Sequence, residues 1–292
     1  MKIQTISLVA GDGACPRHCP YCVSRATGRN EFRKMPTYLS SVKVGKALKL
    51  ADRSSVTTAL ITGKGEPLFG EKSRGHVLQY LNMLNQIGIP LIEIQTSGYG
   101  LDEDTLSDLS VHGVTTVAVS CVSDSNNKNQ EIFGKDYEDF RSVVGRIHKH
   151  GMMARLCCTM CAGYTESVES VRALIWTCKH LGIEQLSLVD VTTPENTNDQ
   201  VVSEWIVDHL VDPRQLSDVF NEIRDCGKPL MLLMHGGSVY DVDGVSVCIR
   251  RCLTQDTDAN ELRQVIVYPN GETRYSWTLP AAKIIRGDAS EQ

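Results

Sequence analysis

The chain has 292 residues, a net charge of −5 and an apolar fraction of 41%, enough for one large α/β domain or a core with a short extension. Its charges are interspersed, without a lysine or arginine block, which excludes broad nucleic-acid binding. No apolar run approaches the ~20 residues that span a membrane.

The first residues, MKIQTISLVAGDGAC, carry too short an apolar stretch for a signal peptide, broken by Gln4, Thr5, Ser7 and Asp12. They read as the first strand of a cytoplasmic protein. Short apolar runs then alternate with amphipathic stretches. Strands are expected at Thr5–Val9, Val56–Ile61, Leu91–Gln95, Thr115–Ser120, Met153–Cys158 and Gln185–Asp190. Helices are expected at Leu39–Ala51, Gly75–Gln86, Asp102–Ser110, Tyr137–His150, Val168–Leu181 and Arg214–Asp225. Gly88, Gly113, Gly151, Gly182 and Gly227 stand where C-caps belong. Six successive βα units imply a parallel sheet. Eight would close a full barrel, so the expected class is α/β, a partial (βα)₆ TIM-like barrel.

From about Pro229 the rhythm changes. Pro229–Met234 is a seventh apolar run, followed by hairpin signals around Asp243-Gly244 within Ser238–Val247 and around Asn270-Gly271 within Leu262–Trp277. The expected organisation is a core over residues 1–228 and a small β-rich C-terminal extension over residues 229–292, ending in a loose tail.

The eleven cysteines are an odd number, and Cys121, Cys157, Cys158 and Cys178 lie in apolar runs, where a reduced thiol behaves as a small hydrophobe. The informative set is Cys15, Cys19 and Cys22, in the run CPRHCPYC directly after the first strand. Three thiolates on one loop can hold three irons of a [4Fe–4S] cluster, leaving the fourth iron open to a small molecule. Two other readings of the same residues stay open. Cys19-Pro20-Tyr21-Cys22 is also a dithiol redox string, and three thiolates with His18 suit zinc by ligand type.

Reactive groups in parallel α/β folds gather at the C-terminal ends of strands. Here the first strand runs into the cysteine loop and the second into Thr62-Gly63-Lys64-Gly65-Glu66-Pro67. The third ends in Thr96-Ser97-Gly98, the fourth in Ser120 and the sixth in Asp190. Glycines at a strand end let backbone approach a ligand, and a carboxylate there can receive an ammonium group.

On these residues the chain resembles the radical S-adenosylmethionine (SAM) enzymes, and within them the branch of the molybdenum-cofactor cyclase that acts on GTP. The likeness covers roughly residues 3–190. Cys15, Cys19 and Cys22 match the cluster motif, and Gly63-Lys64-Gly65-Glu66-Pro67 matches the GGEP motif with lysine in the second slot. The resemblance implies that Glu66 holds the SAM ammonium and that Ser97 falls in the slot after the third strand. It also implies that Ser120 faces the ribose, Arg155 pairs with the SAM carboxylate and Tyr21 packs near the adenine. The implied cofactors are a [4Fe–4S] cluster and SAM. The implied activity is reductive cleavage of SAM to a 5′-deoxyadenosyl radical that abstracts hydrogen from a small, nucleotide-like substrate. The implied partner is an external one-electron donor such as flavodoxin or ferredoxin, with no membrane. A peptide-modifying maturase is the second reading, and a degenerate, binding-only relative is the third.

One part departs from that branch. Its auxiliary cluster uses CxxC and a later cysteine, whereas here Cys248 and Cys252 form CxxxC and the chain reads Arg274-Tyr275-Ser276-Trp277 where the third cysteine should stand. The auxiliary set is therefore incomplete, with Cys226 as the remaining recruit. Met152, Met153, Met160, Met231 and Met234 read as core filler, His148 and His150 as late-helix residues favoured by the dipole, and His235-Gly236-Gly237 as a candidate substrate contact.

Overall fold

The computed structural model describes residues 2–27, 34–194, 197, 199–233, 237–251, 261–277, 279 and 281–288. Met234, His235, Gly236 and Cys252 lie outside the described residues. In chain order the elements are β1 (Lys2–Ala10), α1 (Val23–Ala26), α2 (Ser41–Arg53), β2 (Thr58–Gly63), α3 (Glu71–Ile87), β3 (Leu91–Thr96), α4 (Glu103–Val111), β4 (Thr116–Cys121), α5 (Asn126–Phe133) and α6 (Phe140–Lys149). They continue with β5 (Met153–Met160), α7 (Val168–Leu181), β6 (Gln185–Asp190), α8 (Gln200–Asp208), α9 (Pro213–Cys226), β7 (Lys228–Leu232), β8 (Ser238–Val242), β9 (Val245–Arg251), β10 (Glu261–Val267), β11 (Thr273–Arg274) and β12 (Lys283–Ile285). Contacts divide the chain into one unit of residues 1–16, 28–117 and 257–292, and another of residues 17–27 and 118–256.

In the first unit β1, β2 and β3 run parallel in that order. β10 joins the other side of β1, also parallel, with β11 and β12 antiparallel beyond it. Ile6, Leu8 and Val9 are fully buried, as are Val44, Ala47 and Leu48 of α2 and Tyr80, Leu81 and Leu84 of α3. Their spacing by three and four puts each set on one helix face. Burying each large side chain contributes about 2 kcal/mol.

In the second unit β5, β6 and β9 run parallel, with β8 and β7 antiparallel beyond them. The helices start where the sequence supplies acceptors. Ser167 and Ser170 form a capping box at α7, and Asp212 accepts from Arg214 and Gln215 N–H with Pro213 at the first position of α9. α6 buries Phe140, Val143, Val144 and Ile147, a single apolar stripe. Cys121, Cys158 and Cys178 are all buried. Their thiols lie close together between the strands and α7, and burial with mutual repulsion pushes Cys178 up to about 12.

All six expected strands and all six expected helices are present, and α7 and β6 have the expected bounds. α1, α5 and α8 were not expected. α5 reads NNKNQEIF and has too few apolar residues to show a helical period before its neighbours are known. Gly227 is the C-cap of α9 as expected, but its backbone is extended, φ −94° and ψ 151°, because the chain turns straight into β7. A side chain there would meet Ile223 C=O at 2.6 Å and Tyr240 Cβ at 2.9 Å, so glycine is needed for space rather than for handedness. The residues beyond 228 are shared between the units. β9 extends one sheet beside β6, and β10 extends the other beside β1. β7 is exposed along all five residues. No helix among the described residues is long and apolar enough to cross a membrane.

Candidate active site

In the first unit the site begins where β1 runs out. Gly11 N–H donates to His76 Nδ1 at 3.0 Å, and His76 Nε2 donates to Pro36 C=O at 2.9 Å. This fixes a neutral imidazole, fully buried, whose pKa burial pushes down. Three residues on, Ala14 C=O accepts the Glu66 N–H at 3.0 Å. Gly65 makes this closeness possible, since a Cβ there would stand 2.0 Å from Ala14 C=O. Gly63 is similarly hemmed in, by Gly65 C=O at 2.8 Å. The cysteine loop and the glycine–glutamate loop are thus joined at Cys15's own doorstep.

Glu66 is 4% exposed, and its carboxylate is filled by protein donors. Oε1 accepts from Thr96 Oγ1 at 2.7 Å and Leu68 N–H at 3.2 Å. Oε2 accepts from Ser97 N–H at 2.8 Å and Ser97 Oγ at 2.7 Å. Burial pushes the Glu66 pKa up, while the Ser97, Thr96 and Leu68 hydrogen bonds pull it back. With four donors on two oxygens, Glu66 pins the end of β3 to the glycine loop. Lys64, in the slot that departs from GGEP, is 8% exposed, and its ammonium lies 5.2 Å from the centre of the Trp277 ring. The residue standing where an auxiliary cysteine was sought therefore covers the motif instead.

In the second unit the cysteine loop continues from Arg17, which is 3% exposed. Its guanidinium donates to Phe133 C=O at 3.2 Å and to Asp136 at 2.5 Å, above the Tyr137 ring. Cys19 and Tyr21 pack on a core of Ala26, Val122, Ile132, Phe133, Tyr137 and Cys161. The Tyr21 ring lies 5.7 Å from Trp205, and its hydroxyl lies near Thr159 at the end of β5. Burial, with the Cys19 thiol, holds that hydroxyl well above the ordinary phenol range. Cys22 starts α1, its carbonyl accepting from Arg25 and Ala26 N–H at 2.9 and 3.0 Å.

The structure gathers Gly63, Gly65, Glu66 and Ser97 with the stretch leading to Cys15, and it gathers Tyr21 with Cys19. Ser120 is half-exposed on β4, its carbonyl accepting from Tyr137 Oη at 2.9 Å. Arg155 is not brought to the Tyr21 end. It lies near the start of β5, its Nε donating to Gln185 Oε1 at 2.7 Å, four residues and roughly 13 Å of strand before Thr159. Cys226 is exposed, and Cys157 and Cys248 are half-buried. Sequence reading missed His76, Arg17, Thr159 and Trp205. Of these only Arg17 carried a local signal, a cation inside the cysteine run.

Cys15, Cys19 and Cys22 are half-buried thiols outside any disulfide, chemically suited to bind iron. No three or more His, Cys, Asp or Glu among the described residues gather closely enough for one metal ion. A cubane cluster asks for something different, one thiolate on each of three irons. Three thiols in one run of sequence are donors of that kind.

Comparison with known proteins places these features. The model of the radical SAM superfamily matches residues 13–177. SuiB of Streptococcus suis, bound to S-adenosylmethionine, superposes with a TM-score of 0.64 at 12% identity over 97% of this chain and 63% of that one. Native anSMEcpe with bound AdoMet gives 0.60 at 12% identity over 97% and 77%. Coproporphyrinogen III oxidase (HemN) from Escherichia coli gives 0.53 at 13% identity over 80% and 54%. The chain thus spans less than two thirds of SuiB. At these identities the likeness is one of fold, and it agrees with the partial (βα)₆ barrel with added C-terminal strands. The matched span contains the cysteine triad and the glycine–glutamate loop and covers more than half of the sequence, and the chain therefore belongs to the radical SAM superfamily, a family of enzymes whose cofactors are a [4Fe–4S] cluster and SAM.

Proposed function

We propose that this chain reductively cleaves SAM and removes a hydrogen atom from a small-molecule substrate. The observation that carries the reading is the Ala14–Glu66 backbone bond, which joins the start of the cysteine loop to a glycine edge pinned by Glu66. Cys15, Cys19 and Cys22 would hold iron. When bound, cluster and SAM supply a 5′-deoxyadenosyl radical from one electron and a sulfur–carbon cleavage. Gly63 and Gly65 let the loop that would face the SAM ammonium close against the end of β1, while Glu66 and Ser97 keep that edge rigid. Ser120 faces the ribose, and Tyr21, locked against Trp205, walls the adenine side. Arg155, at the far end of β5, is left out of the cofactor set.

The branch we propose is the one near the GTP cyclase, without its auxiliary cluster. Lys64 under Trp277 supports a small substrate, since the residue that would complete a second cysteine set is committed to packing. SuiB has been seen with its precursor peptide SuiA, and a peptide substrate is the second reading here. An electron donor such as flavodoxin or ferredoxin and a reducing cytoplasm fit the ten cysteines outside any disulfide among the described residues.

Anaerobic reconstitution followed by an iron count and dithionite-driven SAM cleavage tests the reading. About four irons with 5′-deoxyadenosine formed is the expected result. Bound zinc without cleavage overturns it, and about eight irons overturns the single-cluster assignment.

A further inference from the structure

β5, β6 and β9 turn alternate residues toward and away from the helices. Cys158 lies beside Cys178 of α7, so Arg155 and Thr159, of opposite parity, occupy the other face. The parallel register carries this assignment across the sheet. Arg155 pairs with Gln185, and Ser187 with Cys248. Thr159 pairs with Val189, which pairs with Arg250. The buried Leu188 and Ile249 form the opposite, helix-facing pair. The open face of these three strands thus carries two arginines and no carboxylate.

The two arginines differ. The Arg155 guanidinium is taken up by Gln185. The Arg250 Nε is buried and has no hydrogen-bond partner among the described residues. A buried guanidinium donor without an acceptor is costly, and native proteins supply the acceptor from water, an ion or a ligand. Arg250 also stands at a telling level. It is in the same cross-strand row as Thr159, which lies near the Tyr21 hydroxyl of the cysteine loop. Two strand spacings separate them, roughly 10 Å, the length of a small molecule.

We propose that Arg250 anchors an anionic group of the substrate, a carboxylate or a phosphate received by the guanidinium fork, with Thr159 and Tyr21 at the other end of the row. This rests on the radical SAM reading only for calling the anion a substrate group; the anion site itself stands apart from it. Arginine binds either group through two parallel N–H donors, so substrates of this chain carry a fixed negative charge about 10 Å from the cofactor side.

Equilibrium dialysis of the reconstituted full chain with SAM tests this, using inorganic phosphate, pyrophosphate and glutarate as probes, alongside thermal unfolding with each. At least one anion is expected to bind saturably and to raise the melting temperature. Preference for pyrophosphate or phosphate would identify a phosphate group, and preference for glutarate a carboxylate. R250Q should weaken binding roughly tenfold or more and abolish the thermal shift, while R250K, a point charge without the fork, should lose less. An unchanged iron content in R250Q shows that the fold survives the substitution. Saturable binding that R250Q leaves intact overturns the proposal, and so does the absence of binding by all three probes. Anion binding without 5′-deoxyadenosine formation would instead overturn the proposed activity and leave the site standing.

Discussion

Ser97 gives both its backbone N–H and its hydroxyl to a single oxygen of Glu66, at 2.8 and 2.7 Å. The sixty-sixth and ninety-seventh residues thereby tie the end of β3 to the glycine loop. Ser97→Ala should cost about 2 kcal/mol, the worth of one hydrogen bond to a charged group, and should weaken SAM binding. Glu66→Gln should do more, because an amide NH₂ would face donors that need an acceptor. Urea unfolding and SAM binding measured on both variants check this; equal behaviour of Glu66→Gln and the wild type would refute the pinning role.

His76 supplies a pH dependence whose sign follows from its burial. Its folded pKa is depressed, so below the ordinary value of ~6.5 the unfolded chain takes up a proton that the folded chain resists. Stability is then complete above that value and falls as pH drops through it. His76→Gln can keep both hydrogen bonds without titrating. Its stability should therefore vary less than wild type between about pH 6.5 and 5. Parallel slopes in denaturant melts across that range would contradict the assignment. His76→Ala leaves Gly11 N–H and Pro36 C=O unmet and should cost about 2–4 kcal/mol near neutral pH, and less as pH falls below ~6.5.

Arg17 and Asp136 form an asymmetric pair, 3% and 68% exposed. A residue as exposed as Asp136 usually tolerates substitution within about 0.5 kcal/mol. Here Asp136→Asn should cost about 2 kcal/mol or more, because it removes the carboxylate partner of a buried guanidinium. Combining it with Arg17→Met should cost less than the sum of the two. A double-mutant cycle by urea unfolding measures the coupling, and additivity within error would count against it.

Trp277 covers Lys64. Trp277→Ala should destabilise the chain by about 3–5 kcal/mol, from lost packing on Tyr268 and a lost cation–π contact. Trp277→Phe keeps a ring over the ammonium and should lose under half of that. Thermal and urea melts separate the two. If phenylalanine is as damaging as alanine, the ring face is not what Lys64 uses.

Local chemistry was readable before the fold was known. The cysteine spacing, the Gly63–Pro67 loop and the strand-end Ser97 are short-range features, and the structure joins the last two through Glu66. The braces were not readable. Gly11 meets His76 and Arg17 meets Phe133 across 65 and 116 residues of sequence, and nothing in either segment names the other. Arg155 shows a second limit. Alternation along β5 indicates the face on which a residue lies, and Arg155 does share the face of Thr159. Alternation is periodic, however, and is silent about which end of the strand is near the cofactor. The C-terminal hairpins were legible from Asp243-Gly244 and Asn270-Gly271, while their pairing with β6 and β1 depends on strands that lie far earlier in the chain.

The buried thiols divide the cysteines into two chemical populations. Cys161 and Cys178 are pushed up to about 12 and Cys121 also sits high, so near neutral pH they stay protonated and sealed in the core. An alkylating reagent applied to the folded, iron-free protein would then read Cys15, Cys19 and Cys22 with the half-buried Cys157 and Cys248 and the exposed Cys226, against a silent interior. Loading iron should erase three of those labels and leave the rest, so that the ligands can be identified by which cysteines fall quiet.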